Sequence, residues 1–436
     1  MVVGEAARVP SGRVPSPARG GDRAGGPRPV PRYTEFASPS PRADENGVVL
    51  DGFEKRLLRW ELQHSARQLL GTSHRIGVCH RVPSTHVAEG QTPGVKVYRR
   101  VDSATYYRGL MVCANVWACP VCSAKISERR RAELDEALTL HQEQGGGVYH
   151  MLLTLPHTRR DLPGPLVALL LDTFRRLCSG KYALSALIPG YVGFVRALET
   201  TYGDNGWHPH LHLLVFTKEA LTEDQLALVH LKIFAKWEAR VMKVTGKQAS
   251  RKGFSFASAE RGSVDVHLDA ARDYLAKFGT DRELEEIVVQ RRTWGAADEL
   301  TRSHLKDKGL GGRSPWKLLA DFTDGDKHAG MLWKEFVSAF KGRAQLQWSR
   351  GLRAALGLDQ ELDDDQAAAA VEAEDVLLAR ITVEDWKVIL DNKLRGLVLE
   401  VLRVGTWSDV DDMLARFRPS PKEKPILKNV ISRGVL

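Results

Sequence analysis

The stretch from Glu199 to Phe216 constrains this chain more than any other. Two apolar runs, GFVRALETTY and WHPHLHLLVF, flank the tetrapeptide GDNG, a strong hairpin signal because Asp, Asn and Gly tolerate the tight left-handed backbone such turns demand. On a strand, side chains alternate faces, so His208, His210, His212, Leu214 and Phe216 share one side, and Leu211, Leu213 and Val215 share the other. Register then follows from loop length. If Asp204 and Asn205 form a two-residue loop, Glu199 faces His210; if Asn205 and Gly206 form it, Glu199 faces His212. A three-residue loop reverses the parity and turns Glu199 away. In either two-residue case a carboxylate and imidazoles lie on one face. That set can hold a divalent cation with positions left open for water or phosphate, as against the plain alternative of half-buried histidines bonded to one another.

Around this hairpin the elements alternate. VYHMLLTL at 148–155 reads as a buried strand ended by Pro156, 165–177 as a helix, 222–244 as a long helix, VDVH at 264–267 as a short strand and 269–278 as a helix. The expected class is α+β: a central antiparallel sheet flanked by helices. Four regions are expected. They are a Pro/Gly/Arg-rich disordered arm over 1–50, a helix with a Cys-rich zinc-binding segment over 51–147, the sheet domain over 148–345, and an acidic helical C-terminal region over 346–436. The arm is set apart by composition, with eight of the twenty prolines within residues 1–42.

A second constellation is Cys113-x5-Cys119-Pro-Val-Cys122, with Cys79 upstream. A C-P-x-C turn lets two thiolates grip one Zn2+ from nearby backbone positions, and the other two cysteines can complete a tetrahedron. His80 or His74 could replace Cys79. Buried thiols and a redox pair are the alternatives, while Cys178 reads as core. A third is Tyr274 with Lys277, three residues apart and so on one helical face, where an ammonium can assist ionisation of a phenol that is otherwise a poor nucleophile. Alone, that pair is more often packing.

Charge points to a polyanion. The net charge is +9, yet Asp359–Asp385 holds ten acids against Arg380 alone, so the remainder carries +18. Arg291, Arg292, Arg313 and Lys317 belong to a basic stretch that suits DNA phosphates or, equally, a solvated face. The longest apolar runs, such as LVALLL at 166–171, fall far short of the ~20 residues of a membrane span. With no apolar segment behind Arg8, Arg13 and Arg19, a secretory signal is not expected and the cytoplasm is the expected address.

Taken together, His210-Leu211-His212 with a downstream Tyr274 resembles the HUH endonuclease superfamily, named for two histidines flanking a hydrophobic residue. The order, histidines before tyrosine, together with CANVWACPVCSAKI, LETTYGDNGWHPHLHLLVF, DYLAKF, GRSPWKLLADF and LWKEFVSAFKGRAQLQWSRGLR, is similar to rolling-circle plasmid replication initiators of the actinobacterial branch. The resemblance covers roughly residues 105–353. It implies a site-specific nicking enzyme acting on plasmid origin DNA, at a hairpin or single-stranded nick site, with host helicase and DNA polymerase as partners. Mg2+ or Mn2+ would be held by His210, His212 and Glu199, with His208 a supporting group or further ligand. Tyr274 would attack the scissile phosphate, Lys277 would offset its charge, and zinc would be structural. Related initiators end a round with a second tyrosine or a carboxylate one helical turn before the nucleophile; that position is Ala270, and Asp269 and Asp273 are the nearest acids, neither directly on the tyrosine's face. A relaxase or transposase-like strand transferase, and a non-catalytic zinc-ribbon DNA-binding protein, are the alternatives.

Overall fold

The computed structural model describes residues 52–85, 93–100, 104–259, 312–369 and 375–418. Its longer helices are α1 (Gly52–Leu70), α2 (Pro120–Glu143), α3 (Pro163–Leu177), α4 (Glu223–Thr245), α5 (Pro315–Thr323), α6 (Lys327–Phe340), α7 (Val383–Asp391), α8 (Arg395–Val404) and α9 (Trp407–Ala415), with short helical turns at Leu184–Leu187, Leu352–Ala355 and Asp364–Ala369. Its strands are β1 (Val95–Arg99), β2 (Thr105–Arg108), β3 (Gly147–Thr154), β4 (Tyr191–Gly203), β5 (Gly206–Thr217), β6 (Phe254–Ser258), β7 (Leu346–Trp348) and β8 (Val376–Ile381). Five of these strands form an antiparallel sheet in the order β6-β3-β5-β4-β7, and the other three form a second sheet, β2-β1-β8. The class is α+β, as the alternation of patterns predicts. The expected strand at 264–267 and helix at 269–278 lie outside the described residues. The C-terminal region, read as helical, also supplies β7 to the main sheet and β8 to the small one.

Period-two burial separates the faces of the main sheet. Tyr149, Met151 and Leu153 of β3, Leu211, Leu213 and Val215 of β5, and Phe254 and Phe256 of β6 enter one core. Helices α3, α4 and α6 cover it with Leu170, Phe174, Ile233, Trp237, Trp333 and Phe336. On the opposite face Val148, Val195, Ala197, Leu214 and Phe216 meet Leu134, Ala137 and Leu138 of α2. Burying a large apolar side chain is worth about 1.5–3 kcal/mol, so both faces are firmly committed where helices cover them. Beyond His212 that second face turns polar, and His210 and His208 are only half-buried.

Local signals set the element ends. Thr222 caps α4 through a reciprocal box with Gln225, and Gly246 ends it in the left-handed conformation at φ 68°. Pro120 and Pro163 open α2 and α3, where the missing N–H costs nothing. Among the described residues no helix is long and apolar enough to cross a membrane.

Candidate metal centres

The β4–β5 hairpin closes on Gly203 opposite Gly206, with Asp204 and Asn205 as its loop. This is the first of the two registers considered: Glu199 pairs with His210, Ala197 with His212 and Thr201 with His208. Gly206 is at φ +83°, and a Cβ there would lie 2.9 Å from Arg159 Cα, so the residue serves both the turn and the close approach of the 156–162 loop.

From this register a three-residue cluster follows. Glu199 Oε2 lies 3.3 Å from His210 Nε2 and 3.9 Å from His212 Nε2. Glu199, His210 and His212 each offer one ligand atom, and these atoms all fall within 4.8 Å of one another. Glu199 Oε1 is buried with no hydrogen-bond partner among the described residues, an arrangement costly for a carboxylate oxygen unless a cation or donor meets it. Two imidazole nitrogens and a carboxylate on one face could therefore hold a divalent ion and leave coordination positions open.

His208 faces the same way without joining the ligand set. Its Nδ1 lies 2.6 Å from His157 Nε2, and His157 Nδ1 lies 3.1 Å from the Asn205 carbonyl. Burial, then the neighbouring His210 and His157, pushes the His208 imidazole down to about 4. The carbonyl of His208 is 3.1 Å from His210 Nδ1. His150 on β3, which the sequence reading passed over, places its Nε2 3.0 Å from His212 Nδ1. Both missed imidazoles had one available signal: they lie in the apolar run and the Pro-His loop on either side of Pro156, adjacent to β5 once β3 pairs with it.

The second cluster joins Cys79, Cys113, Cys119 and Cys122, all buried. Cys79 Sγ is 3.5 Å from Cys122 and 3.8 Å from Cys119, and Cys113 is 3.6 Å from Cys122. A zinc tetrathiolate with Zn–S bonds of about 2.3 Å has sulfurs about 3.8 Å apart, so the four thiols already stand near the corners of such a tetrahedron. Cys119 precedes the first turn of α2 and Cys122 lies within it, while Cys79 follows the turn at 75–77. Burial alone would raise the Cys119 thiol, but hydrogen bonds from Cys113, Cys122 and Cys79 hold it well below its ordinary range. Arg395 of α8 reaches this cluster indirectly: its Nη1 donates to Gln63 Oε1 at 2.7 Å and to the His80 carbonyl at 2.9 Å, and Gln63 Nε2 donates to Cys119 Sγ at 3.3 Å. The group could hold zinc. Neither His80 nor His74 takes the place of Cys79 in it.

Of the remaining candidates, Tyr274, Lys277, Asp269, Asp273, Arg291 and Arg292 lie outside the described residues. Arg313 stacks over Tyr202 and pairs with Asp321 at 3.2 Å, and Lys317 pairs with the same carboxylate at 2.8 Å. Both cations are thus partly neutralised within α5 and its approach. Arg313 also exchanges backbone hydrogen bonds with Tyr202, tying the segment after residue 311 to the β4–β5 hairpin.

A family model described as a replication protein matches residues 108–236, a span that includes three of the four clustered cysteines and all of Glu199, His210 and His212. Among curated proteins, Protein rep of Streptomyces lividans is 28% identical over 374 residues, covering 72% of this chain and 80% of that protein. A neomycin resistance protein of Streptomyces cyanogenus is 32% identical over 149 residues, covering 28% of this chain and 34% of the relative. No solved structure gives a significant match. With Glu199, His210, His212 and three of the four clustered cysteines inside the matched span, these similarities agree with the resemblance of the motifs to plasmid replication initiators.

Proposed function

We propose that this protein initiates rolling-circle plasmid replication by nicking one strand of its origin and rejoining that strand at termination. The observation that carries the reading is the cross-strand placement of Glu199 opposite His210, with one carboxylate oxygen facing two imidazole nitrogens and the other buried without a partner. Glu199, His210 and His212 would hold Mg2+ or Mn2+. Bound there, such an ion would polarise the scissile phosphate and offset charge developing in the transition state.

The chain's own groups do the rest. Tyr274 supplies the nucleophile: its phenolic oxygen bonds to phosphorus as the bond to the 3′ oxygen breaks. The strand is left with a free 3′-OH, and the 5′ phosphate becomes a phosphotyrosine. One phosphodiester is exchanged for another, so rejoining requires no separate energy source. Lys277, three residues on, would offset phosphate charge, and His208 would support the metal-binding face with His157 behind it. Asp269 and Asp273 are the nearest acids in the sequence to take the proton at termination, with Ala270 four residues before the nucleophile. Arg291, Arg292, Arg313 and Lys317 would bind origin phosphates, the last two by exchanging Asp321 for DNA. The thiol cluster would carry structural zinc. The reaction is set in the cytoplasm, with host helicase unwinding and host polymerase extending the new 3′ end.

Incubating the protein with supercoiled plasmid carrying its origin and Mn2+ should yield relaxed DNA with protein covalently attached to a 5′ end. Tyr274→Phe should abolish attachment while leaving origin binding in place, and His210→Ala or His212→Ala should abolish metal-dependent cleavage. Origin binding without any relaxed product across Mg2+ and Mn2+ concentrations would instead identify a non-catalytic DNA-binding protein.

A further inference from the structure

Each imidazole of the metal face has its second nitrogen engaged, and the two are engaged differently. His210 Nδ1 lies 3.1 Å from the carbonyl of His208, which can only accept, so the proton of His210 sits on Nδ1 and Nε2 keeps its lone pair. His212 Nδ1 meets no carbonyl but another ring, His150 Nε2, at 3.0 Å, with centroids 5.2 Å apart and planes inclined by 29°. The two residues come from adjacent strands. Leu152 pairs with His212 and His150 with Leu214, so His150 sits diagonally from His212 on the same face.

The sense of this hydrogen bond is tied to the tautomer of His212. With the proton on His212 Nδ1, that N–H donates to His150 Nε2, and His212 Nε2 presents a lone pair toward Glu199 and a cation. With His150 as the donor, His212 would carry its proton on Nε2 and could not ligate through it. His150 is not one of the residues whose ligand atoms converge with Glu199, and its Nε2 meets His212 on the Nδ1 side of the ring, away from Nε2. Solvent is a poor substitute for it, since His212 is 4% exposed. We infer that His150 is a positioning residue: by accepting from His212 Nδ1 it holds His212 in the metal-binding tautomer and fixes its ring plane. The inference rests on the proposed metal centre and names the group that prepares it.

The full-length, zinc-loaded protein and Mn2+ alone provide the test, with affinity measured calorimetrically or by electron paramagnetic resonance. Loss of such a partner typically weakens metal binding about 10- to 100-fold, the expected result for His150→Ala and for His150→Leu, which keeps bulk without an acceptor. His150→Gln, whose side-chain carbonyl can accept the same proton, should stay within about threefold of the parent, a far smaller loss than either apolar replacement. Nicking by His150→Ala should recover at saturating Mn2+, a change in metal requirement rather than in maximal rate. Zinc content and melting temperature, compared across the variants, separate this from general damage, and His150→Leu stands in should the alanine variant fail to fold.

Parent-like Mn2+ affinity in the apolar variants, with binding still lost in His212→Ala, would show that His150 only packs. Equal losses in the folded glutamine and alanine variants would refute the acceptor role. Unchanged Mn2+ binding in His210→Ala and His212→Ala would remove the metal centre itself, and this inference with it.

Discussion

Stripping zinc should unfasten a defined part of the molecule. The four thiols draw together three segments: the turn ending at Cys79, the loop through Cys113 and Cys119, and the first turn of α2 at Cys122. Two further elements depend on that knot, α1 through the Gln63–Cys119 hydrogen bond and α8 through the Arg395–Gln63 hydrogen bond. Structural zinc contributes about 10–16 kcal/mol apparent in isolated peptides, of the same order as the whole stability of a typical domain. Unfolded thiols also bind the ion, so about 5 kcal/mol is a more sober net value. At roughly 2 °C per kcal/mol for a chain of this size, removal should lower the melting temperature by about 10 °C. Proteolysis should then cut first between 71 and 118, before the main sheet. The assay is calorimetry or dye-monitored melting, with zinc counted by elemental analysis before and after a high-affinity chelator. Running it in His210→Ala as well removes any contribution from the hairpin cation. A folded protein purified without zinc, or one whose melting temperature stays within about 2 °C on complete removal, would refute the argument and leave four ordinary buried thiols.

How far the sequence reveals this arrangement depends on how local the information is. The hairpin was legible because period-two alternation and a GDNG turn reduce the register to parity, and the observed pairing of Glu199 with His210 is one of the two such registers. Cys113, Cys119 and Cys122 were legible from spacing, whereas Cys79, far upstream, could not be separated from His80 or His74 until the fold brought its thiol to the other three. What stayed hidden is set by long-range pairing. β6 carries only Phe254 and Phe256 as apolar anchors among serines, and it becomes a strand because β3 offers it an edge. β1 and β2 lie in a stretch read as cysteine-bearing, and β1 becomes the centre of a sheet by pairing with β8 from nearly three hundred residues away. His150 looked like one polar residue in an apolar run, since nothing within VYHMLLTL says that its neighbour across the strand gap is His212. Local sequence names the candidate ligands; only the topology shows which side chains meet their other nitrogens.

Three further outcomes follow from contacts at these sites. Arg395→Met keeps volume but leaves Gln63 Oε1 and the His80 carbonyl without their buried donor, at a cost of about 2–4 kcal/mol; proteolysis should reach 375–418 first, and zinc should dissociate faster. Gly206→Ala meets both a φ of +83° and backbone at 2.9 Å, whereas Gly246→Ala meets a φ of +68° with nothing within 4 Å. Gly246→Ala should cost about 1 kcal/mol and Gly206→Ala clearly more, with weakened Mn2+ binding only in the latter; equal melting temperatures would contradict this. The last concerns acid. His80 is buried against Trp60, and burial, then Lys125, pushes its imidazole down to about 3. An unfolded histidine titrates near ~6.5, so below that pH the unfolded chain takes up a proton that the folded one refuses. The stability His80 contributes is therefore present above ~6.5 and drains away as pH falls toward the folded value, by about 1.4 kcal/mol at pH ~5.5. His64, lowered to about 4 by burial and then by Lys393, acts in the same direction. His80→Asn removes this titration, and Asn tolerates the positive φ of 49° at that position. Denaturant melts between pH 7.5 and 5.5, with zinc content followed throughout, should show a shallower loss in the variant by about that 1.4 kcal/mol. An identical slope in the two proteins, with zinc retained in both, would mean that His80 protonates without leaving its pocket and that burial there is looser than the packing against Trp60 implies.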